Sequence, residues 1–422
     1  MSRRYFGTDG VRGVVGEDIT LELVERLGRA ATLWSKGGRV FVGRDTRASG
    51  EELEEAFGRG VVAAGGNAVL AGVLPTPAVA LLALDLGAVI SASHNPPEYN
   101  GVKFFDGEGR KLTDAAEEEI EALLNEDGPP DGRGRVDHVA VATESYLEHI
   151  VERFGSDLSD LKIVVDCANG AYSGIAPKAF EQLGAQVSTI GSDPNGTNIN
   201  VGCGATDLQT LQRAVTGAGA DLGIAFDGDG DRMLAVDARG QVVDGDQILA
   251  ILMLHLDVEL VAVTVMANLG LHRLAEEHGI RVVTTDVGDR YVLEALRREG
   301  GLLGGEQSGH IIYLRDHVTG DGLAAALLLC AALEGHSLER AAAVLRRLPQ
   351  AKENIRVGRK ELPQLLVDEV ERLNARLDGK GRVLVRPSGT EPVIRVLAEA
   401  ETRPEAEETC GTISALVRRE LG

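Results

Sequence analysis

KIVVDCANG, Lys162–Gly170, reads as a buried apolar strand that ends on an aspartate and opens into a loop of small residues. A helix follows near Ile175–Leu183, then a second strand, QVSTIG, at Gln186–Gly191. The same succession occurs upstream, where RVFVGRD (Arg39–Asp45) leads through a helical stretch from Gly50 to Ala64 into NAVLAG (Asn67–Gly72). It returns downstream, from VAVTVMANLG (Val261–Gly270) through a helix near Leu271–His278 to RVVTTDVG (Arg281–Gly288). Repetition of strand, glycine-bearing loop, helix and strand predicts three related α/β units on mostly parallel sheets. After Pro349 the rhythm changes. A strand at Ala351–Val357, a helix at Leu362–Leu377, two strands around RPSGTEP and a last helix at Pro404–Leu421 predict a smaller α+β domain. The expected domains are 1–148, 149–247, 248–352 and 353–422, with the polar stretch NEDGPPDGRGR (Asn125–Arg135) inside or near the end of the first unit. Helical spacing of Thr20, Leu23, Val24, Leu27, Ala31 and Trp34 marks a core face that carries no chemistry.

Composition narrows the class. The 422 residues include 43 Lys and Arg against 65 Asp and Glu, a formal net charge of −22. Such a chain repels nucleic acid and anionic membranes, so neither is an expected partner. An anionic small molecule remains compatible if basic side chains gather at its site. Cys167, Cys203, Cys330 and Cys410 lie far apart without CxxC spacing and read as buried thiols of a reducing compartment, the cytoplasm. Arg3 and Arg4 are followed by no apolar segment, so no export signal is expected. The longest apolar run, Leu323–Leu333, falls well short of the ~20 residues that cross a bilayer and reads as a core helix.

The strongest chemical signal is DGDGD, Asp227–Asp231, between the apolar strands Leu222–Phe226 and Met233–Val236. Glycine lets the backbone turn so that the three carboxylates converge, and clustered carboxylates repel unless a cation lies among them. Hard oxygen ligands suit Mg²⁺ or Ca²⁺. An EF-hand is excluded, because Arg232 and Ala238 stand where it needs glycine and glutamate. The plain alternative is a solvated acidic hairpin tip. In ISASHNP, Ile90–Pro96, a strand (Ala88–Ser91) ends at an Asn-Pro turn, which places Ser93 and His94 on an exposed loop at a strand end. A serine beside a cation or a base is a nucleophile, although Ser-His alone is no more than a turn. RPSGTEPVIR, Arg386–Arg395, combines Arg386 and Arg395 with the hydroxyls of Ser388 and Thr390 and the backbone of Gly389, a set suited to phosphate. Its alternative is a strand–turn–strand with surface arginines. GEQSGH, Gly305–His310, offers Glu306 and Ser308 to sugar hydroxyls and His310 to a proton. Arg12 in FGTDGVRG (Phe6–Gly13) is another phosphate contact, and Lys103 in NGVKFF is an acid or a second cation. GxxxxGK[ST] and GxSxG are both absent, which excludes a P-loop kinase and an α/β-hydrolase.

Taken in order, these motifs resemble the α-D-phosphohexomutase superfamily over essentially the whole chain. FGTDGVRG, NINVGCGAT (Asn198–Thr206) and Gln307 bring it nearest to the bacterial branch that interconverts glucosamine 6-phosphate and glucosamine 1-phosphate on the route to UDP-N-acetylglucosamine. The resemblance implies three similar mixed α/β domains and a smaller C-terminal α+β domain around a central cleft, with one Mg²⁺ per subunit. It implies that Ser93 is a phosphoserine whose phosphoryl oxygen joins Asp227, Asp229 and Asp231 around the metal. It assigns the hexosamine phosphate to Arg232, Glu306, Ser308, Arg386, Ser388, Gly389, Thr390 and Arg395. Arg12, His94, Lys103 and His310 would assist proton transfer or hold phosphates, with the base among them unassigned. A sugar 1,6-bisphosphate is the implied intermediate or activator, and a homodimer is an assembly it allows. One departure is Asp286 in TDVGDR (Thr285–Arg290), where a proline or small residue is expected. Rival readings are a sister mutase for mannose and glucose phosphates, a metal-dependent phosphatase and a non-catalytic sensor. The separate loop at 386–395 speaks against a phosphatase, and Ser93 with three intact aspartates speaks against a sensor.

Overall fold

The computed structural model describes residues 4–7, 9–128, 134–388 and 392–422. Its strands form four sheets. The first contains β1 (Val11–Val14), β2 (Arg39–Arg44), β3 (Asn67–Val73), β4 (Leu86–Ile90), β5 (Tyr99–Asp106) and β6 (Val136–His138), in the order β1-β5-β4-β2-β3-β6. The second contains β7 (Lys162–Asp166), β8 (Gln186–Ile190), β9 (Leu222–Phe226), β10 (Met233–Asp237) and β11 (Val242–Val243), in the order β11-β10-β9-β7-β8. The third contains β12 (Leu260–Thr264), β13 (Arg281–Thr285), β14 (Leu303–Gly305) and β15 (Ile311–Tyr313), in the order β13-β12-β14-β15. The fourth contains β16 (Gln350–Arg356), β17 (Arg382–Pro387) and β18 (Val393–Glu399), in the order β16-β18-β17.

The sheets are mixed, and the mixing positions the chemistry. In the first three, central strands pair in parallel: β2 with β3 and β4, β7 with β8 and β9, β12 with β13 and β14. A return strand is then added antiparallel: β5 on β4, β10 on β9, β15 on β14. The connections before these return strands contain SASHNP, DGDGD and EQSGH. The fourth motif lies likewise between antiparallel β17 and β18.

Every residue of β4, β9 and β12 is buried, and their sequences LGAVI, LGIAF and LVAVT are accordingly continuous apolar runs, as strands covered on both faces must be. The helix Gly322–Ala332 is buried through Cys330 and is capped by Asp321, whose carboxylate accepts from Leu323 N and Ala324 N. The helix Leu21–Trp34 buries Leu23, Val24, Leu27 and Ala31 as its spacing predicts, but Thr20 is its N-cap rather than part of that face. All four cysteines are free and buried. Among the described residues no helix is long and apolar enough to cross a membrane.

The chain divides into two compact units, one reaching Met266 and resuming over Arg281–Val344, the other made of Ala267–Ile280 and Leu345–Gly422. The first unit holds the first three sheets. The second holds the fourth sheet with the helices Leu269–Glu277, Gln364–Leu377 and Arg403–Leu421. Within it, Asn268 exchanges two hydrogen bonds with the backbone of Leu348, at 3.0 and 2.9 Å.

Candidate active site

Ser93 lies between β4 and β5. The sequence predicts an exposed loop, yet Ser93 is only 1% exposed. The β9–β10 connection packs over it. Ser93 Oγ donates to Asp227 Oδ2 at 2.7 Å and lies 3.3 Å from His94 Nδ1. Close packing requires glycine at 228, since a Cβ there would come within 2.8 Å of Ser93 O. Thr76, at the start of a short helix in the same unit, holds the acidic loop from the other side. Its N donates to Asp229 O at 2.8 Å and its Oγ1 to Asp229 Oδ2 at 2.6 Å.

Asp227, Asp229 and Asp231 are buried, and one carboxylate oxygen from each lies within 4.8 Å of the others. Gly230, with φ +79°, makes the turn between two of them, and the Tyr172 ring lies where its Cβ would be. Asp229 Oδ1 and Asp231 Oδ1 are buried without a hydrogen-bond partner among the described residues. Buried carboxylate oxygens that converge without a hydrogen bond fit a hard divalent cation. Burial, followed by the charges of Asp231 and Asp229, drives the Asp227 carboxyl well above its ordinary pKa. Burial also opposes ionisation of Asp229 and Asp231, and for Asp229 the Asp231 charge adds to it; Lys103 and Thr76 together overcome this at Asp229, and Lys103, His310 and Arg232 together at Asp231, so that both pKa values fall below the usual range.

Lys103, on β5 opposite Val89, is buried. Its Nζ lies 2.7 Å from Asp229, 3.1 Å from Asp9 and 3.5 Å from Asp231. Burial opposes its charge, yet these three carboxylates raise its pKa. It is a fixed cation. A chain of alternating charge continues outward. Lys111 pairs with Asp9 at 2.8 Å and with Asp289, and Arg12 also pairs with Asp9. His310 lies 3.4 Å from Asp289 and 3.8 Å from Asp231. Burial works against its protonation, but these two carboxylates raise its pKa. Arg232 flanks the triad, 3.8 Å from Asp231, and its backbone N donates to Asp227 Oδ1. His94 differs. Burial, Arg232 and Arg12 lower its pKa to about 4, which leaves a neutral imidazole beside Ser93.

Asp9, Lys111, Asp289 and Thr76 join this site without a signal of their own in the sequence. Asp9 lies inside FGTDGVRG, and Asp289 inside TDVGDR. Their pairing across more than a hundred residues leaves no local pattern.

Between β14 and β15, Glu306 is buried and accepts from Gly288 N at 3.2 Å, while exposed Ser308 lies 3.5 Å from its other oxygen. The loop is anchored by Gln307, whose Nε2 donates to buried Asp246 at 2.7 Å. In the second unit, Arg386 and Arg395 are directly opposed in the β17–β18 register and share one face of the sheet. Like charges so placed destabilise a bare sheet and favour an anion between them. Ser388 is buried, with its N on Val393 O at 2.9 Å. Gly389 and Thr390 lie outside the described residues.

Family models match the chain as consecutive parts of one family. Phosphoglucomutase/phosphomannomutase α/β/α domain I matches residues 3–130, domain II 144–240, domain III 244–350 and the C-terminal domain 334–416. The chain is 48% identical to the phosphoglucosamine mutase of Pelotomaculum thermopropionicum, with 98% of each chain covered. It is 49% identical to that of Moorella thermoacetica, over 96% of this chain and 97% of the relative. The crystal structure of a phosphoglucomutase/phosphomannomutase family protein from Burkholderia thailandensis matches with a TM-score of 0.86 at 25% identity, over 99% of this chain and 98% of that one.

Proposed function

The chain belongs to the phosphoglucomutase/phosphomannomutase family, and on that premise we propose that it interconverts glucosamine 6-phosphate and glucosamine 1-phosphate through a phosphorylated Ser93. The observation that carries this reading is the buried Ser93 hydroxyl, 2.7 Å from Asp227 in a convergent carboxylate cluster.

In the forward half-reaction the bond between phosphorus and Ser93 Oγ breaks, and a bond from phosphorus to a sugar hydroxyl oxygen forms. The proton lost by the sugar hydroxyl passes, by way of a base, to the Ser93 Oγ released as an alkoxide, so that no proton is gained or lost overall. Neutral His94, 3.3 Å from that oxygen, is the group best poised to move this proton. Lys103 is held charged by three carboxylates and serves as a cation rather than a base. Asp227, Asp229 and Asp231 would hold a Mg²⁺ together with a phosphoryl oxygen of phosphorylated Ser93, and when bound the ion offsets charge on the transferring group. The resulting 1,6-bisphosphate must turn end for end before the other phosphoryl group returns to Ser93. Glu306 and Ser308 are assigned to the sugar hydroxyls. Arg12, Arg232, His310 and the set Arg386, Ser388, Gly389, Thr390 and Arg395 are assigned to phosphate groups and their charge. The glucosamine preference rests on relatives named as phosphoglucosamine mutases at 48% and 49% identity. Four free buried thiols favour a reducing compartment, the cytoplasm.

A coupled assay of glucosamine 1-phosphate, glucose 1-phosphate and mannose 1-phosphate tests the reading, with Ser93→Ala beside the parent. The highest kcat/KM should belong to glucosamine 1-phosphate, and Ser93→Ala should lose turnover. A preference for mannose 1-phosphate would reassign the substrate. Near-normal Ser93→Ala activity would overturn the mechanism, and accumulation of free phosphate would make the protein a phosphatase.

A further inference from the structure

Behind Ser93 is a side chain to which the mechanism above gives no role. Arg47 is 1% exposed, and both terminal nitrogens of its guanidinium are devoted to one loop. Nη2 donates to Ser93 O at 2.9 Å and to Asn95 O at 2.8 Å. Nη1 donates to Tyr99 O at 2.9 Å and to Pro96 O. Nε donates to Asp45 Oδ2 at 2.9 Å, and the same carboxylate oxygen accepts from Ser91 Oγ at 2.6 Å. Ser91 Oγ in turn accepts from Ser93 N at 2.9 Å. From a loop associated with the second sheet, Asn200 Nδ2 donates to the same two carbonyls, Ser93 O at 2.9 Å and Asn95 O at 3.2 Å.

Both backbone polar groups of Ser93 are therefore held, and its φ is +52°, a left-handed conformation unfavourable for any residue with a Cβ. Strain of this kind persists only where the surroundings over-determine it. We propose that Arg47 and Asn200 are positioning residues for phosphoryl transfer, forming a cradle of donors that holds the Ser93 peptide left-handed and aims Oγ at the acidic triad. This rests on the reading of Ser93 as the nucleophile.

An arginine that merely completed a buried ion pair would be satisfied by Asp45. Here four further acceptors are main-chain carbonyls between Ser93 and Tyr99, a fan of directions that a planar five-donor fork can reach and an ammonium cannot. Asn200 lies inside NINVGCGAT and reaches two of those carbonyls from a loop that follows a strand of a different sheet. The nucleophile loop is thus fixed by both elements whose residues must meet for the reaction. Misplacing a reacting atom by about 1 Å can cost roughly a hundredfold in rate without loss of binding.

The test compares Asn200→Ala and Arg47→Lys with the parent for kcat, KM, melting temperature and the single-turnover rate at which glucose 1,6-bisphosphate phosphorylates Ser93, read by quenched intact mass. Asn200→Ala should lower kcat and the single-turnover rate by about tenfold or more, with KM within about twofold and little change in melting temperature. Arg47→Lys should lose more. If Arg47→Lys does not fold, the partly exposed Asn200 decides the matter alone. A parental single-turnover rate in Asn200→Ala overturns the cradle, as does a joint shift of kcat, KM and melting temperature, which marks a purely structural contact. Turnover by Ser93→Ala would instead defeat the underlying reading, so the two failures are distinguishable.

Discussion

Phosphorylation of Ser93 and binding of Mg²⁺ should reinforce each other, and the geometry sets the scale. Ser93 Oγ is 2.7 Å from Asp227 Oδ2, so a phosphoryl group on that oxygen would stand about 4 Å from the carboxylate. It carries about −1.5 to −2 charges, and two unit charges at that distance interact by roughly 4 kcal/mol at an effective dielectric of 20. Without a cation, wherever the pH is high enough to ionise Asp227, the phosphorylated loop thus faces an opposing term of about 6–8 kcal/mol from its carboxylate. Lys103 cannot relieve it, being committed to Asp229, Asp9 and Asp231. A divalent ion with a phosphoryl oxygen as ligand turns this repulsion into attraction. After screening and relaxation, a coupling of about 1–3 kcal/mol is expected, a 5- to 150-fold difference in affinity, equal in both directions by linkage. Proton competition gives a second signature. Asp227, whose carboxyl is driven well above its ordinary pKa by burial and by Asp231 and Asp229, keeps its proton up to that raised pKa, and below it the ion must displace the proton. Affinity for Mg²⁺ should therefore be weak below that raised pKa, climb as pH passes through it, and level off above it. Calorimetric titration of phosphorylated and phosphatase-treated protein, at several pH values and in buffers of different ionisation enthalpy, measures both effects. Indistinguishable affinities would refute contact between the Ser93 phosphate and the metal. A flat pH dependence without proton release would refute the protonated Asp227.

Arg386→Ala should raise KM by about 10- to 150-fold, the equivalent of one lost charge-assisted phosphate contact of about 1.5–3 kcal/mol, and leave Mg²⁺ affinity unchanged; an unaltered KM would remove Arg386 from the phosphate-binding set. In the dephosphorylated, metal-free protein, the His94 ring should titrate by NMR near pH 4, because its burial, Arg232 and Arg12 disfavour the cation. Its folded pKa lies below the unfolded value of about 6.5, so its contribution to stability is whole above that pH and is lost as pH falls towards 4; a midpoint above 6 would refute this.

The sequence was most legible where chemistry is dense in a short stretch. DGDGD predicted three convergent carboxylates between two apolar strands, which the structure also buries, and β9 spans the expected Leu222–Phe226. The repeat was legible only in part. Its reading stopped at strand, loop, helix and strand, whereas the chemistry lies one element later, before the return strands β5, β10 and β15. The depth of Ser93 was not legible, because the residues that cover it arrive from the loop at Asp227, Gly228 and Asn200. Arg47, two residues past the strand Arg39–Asp45, and Asp289, inside TDVGDR, carry no signal of their own in the sequence. What distinguishes each is a partner far away in sequence, and local periodicity carries no trace of such pairs.

Length, as well as residue identity, is constrained by the return strands. Lys103 faces the acidic loop because β5 pairs so that Val89 opposes it; likewise Met233 opposes Phe226 and Ile311 opposes Gly305. Side chains alternate between faces with a period of two, so losing one residue from β5 ahead of Lys103 would send its ammonium to the opposite face while every motif remained intact. Natural insertions and deletions in this family should accordingly spare these short segments as strictly as substitutions spare the aspartates, and a homologue with a perfect set of motifs but a return strand one residue short should fold without turning over its substrate.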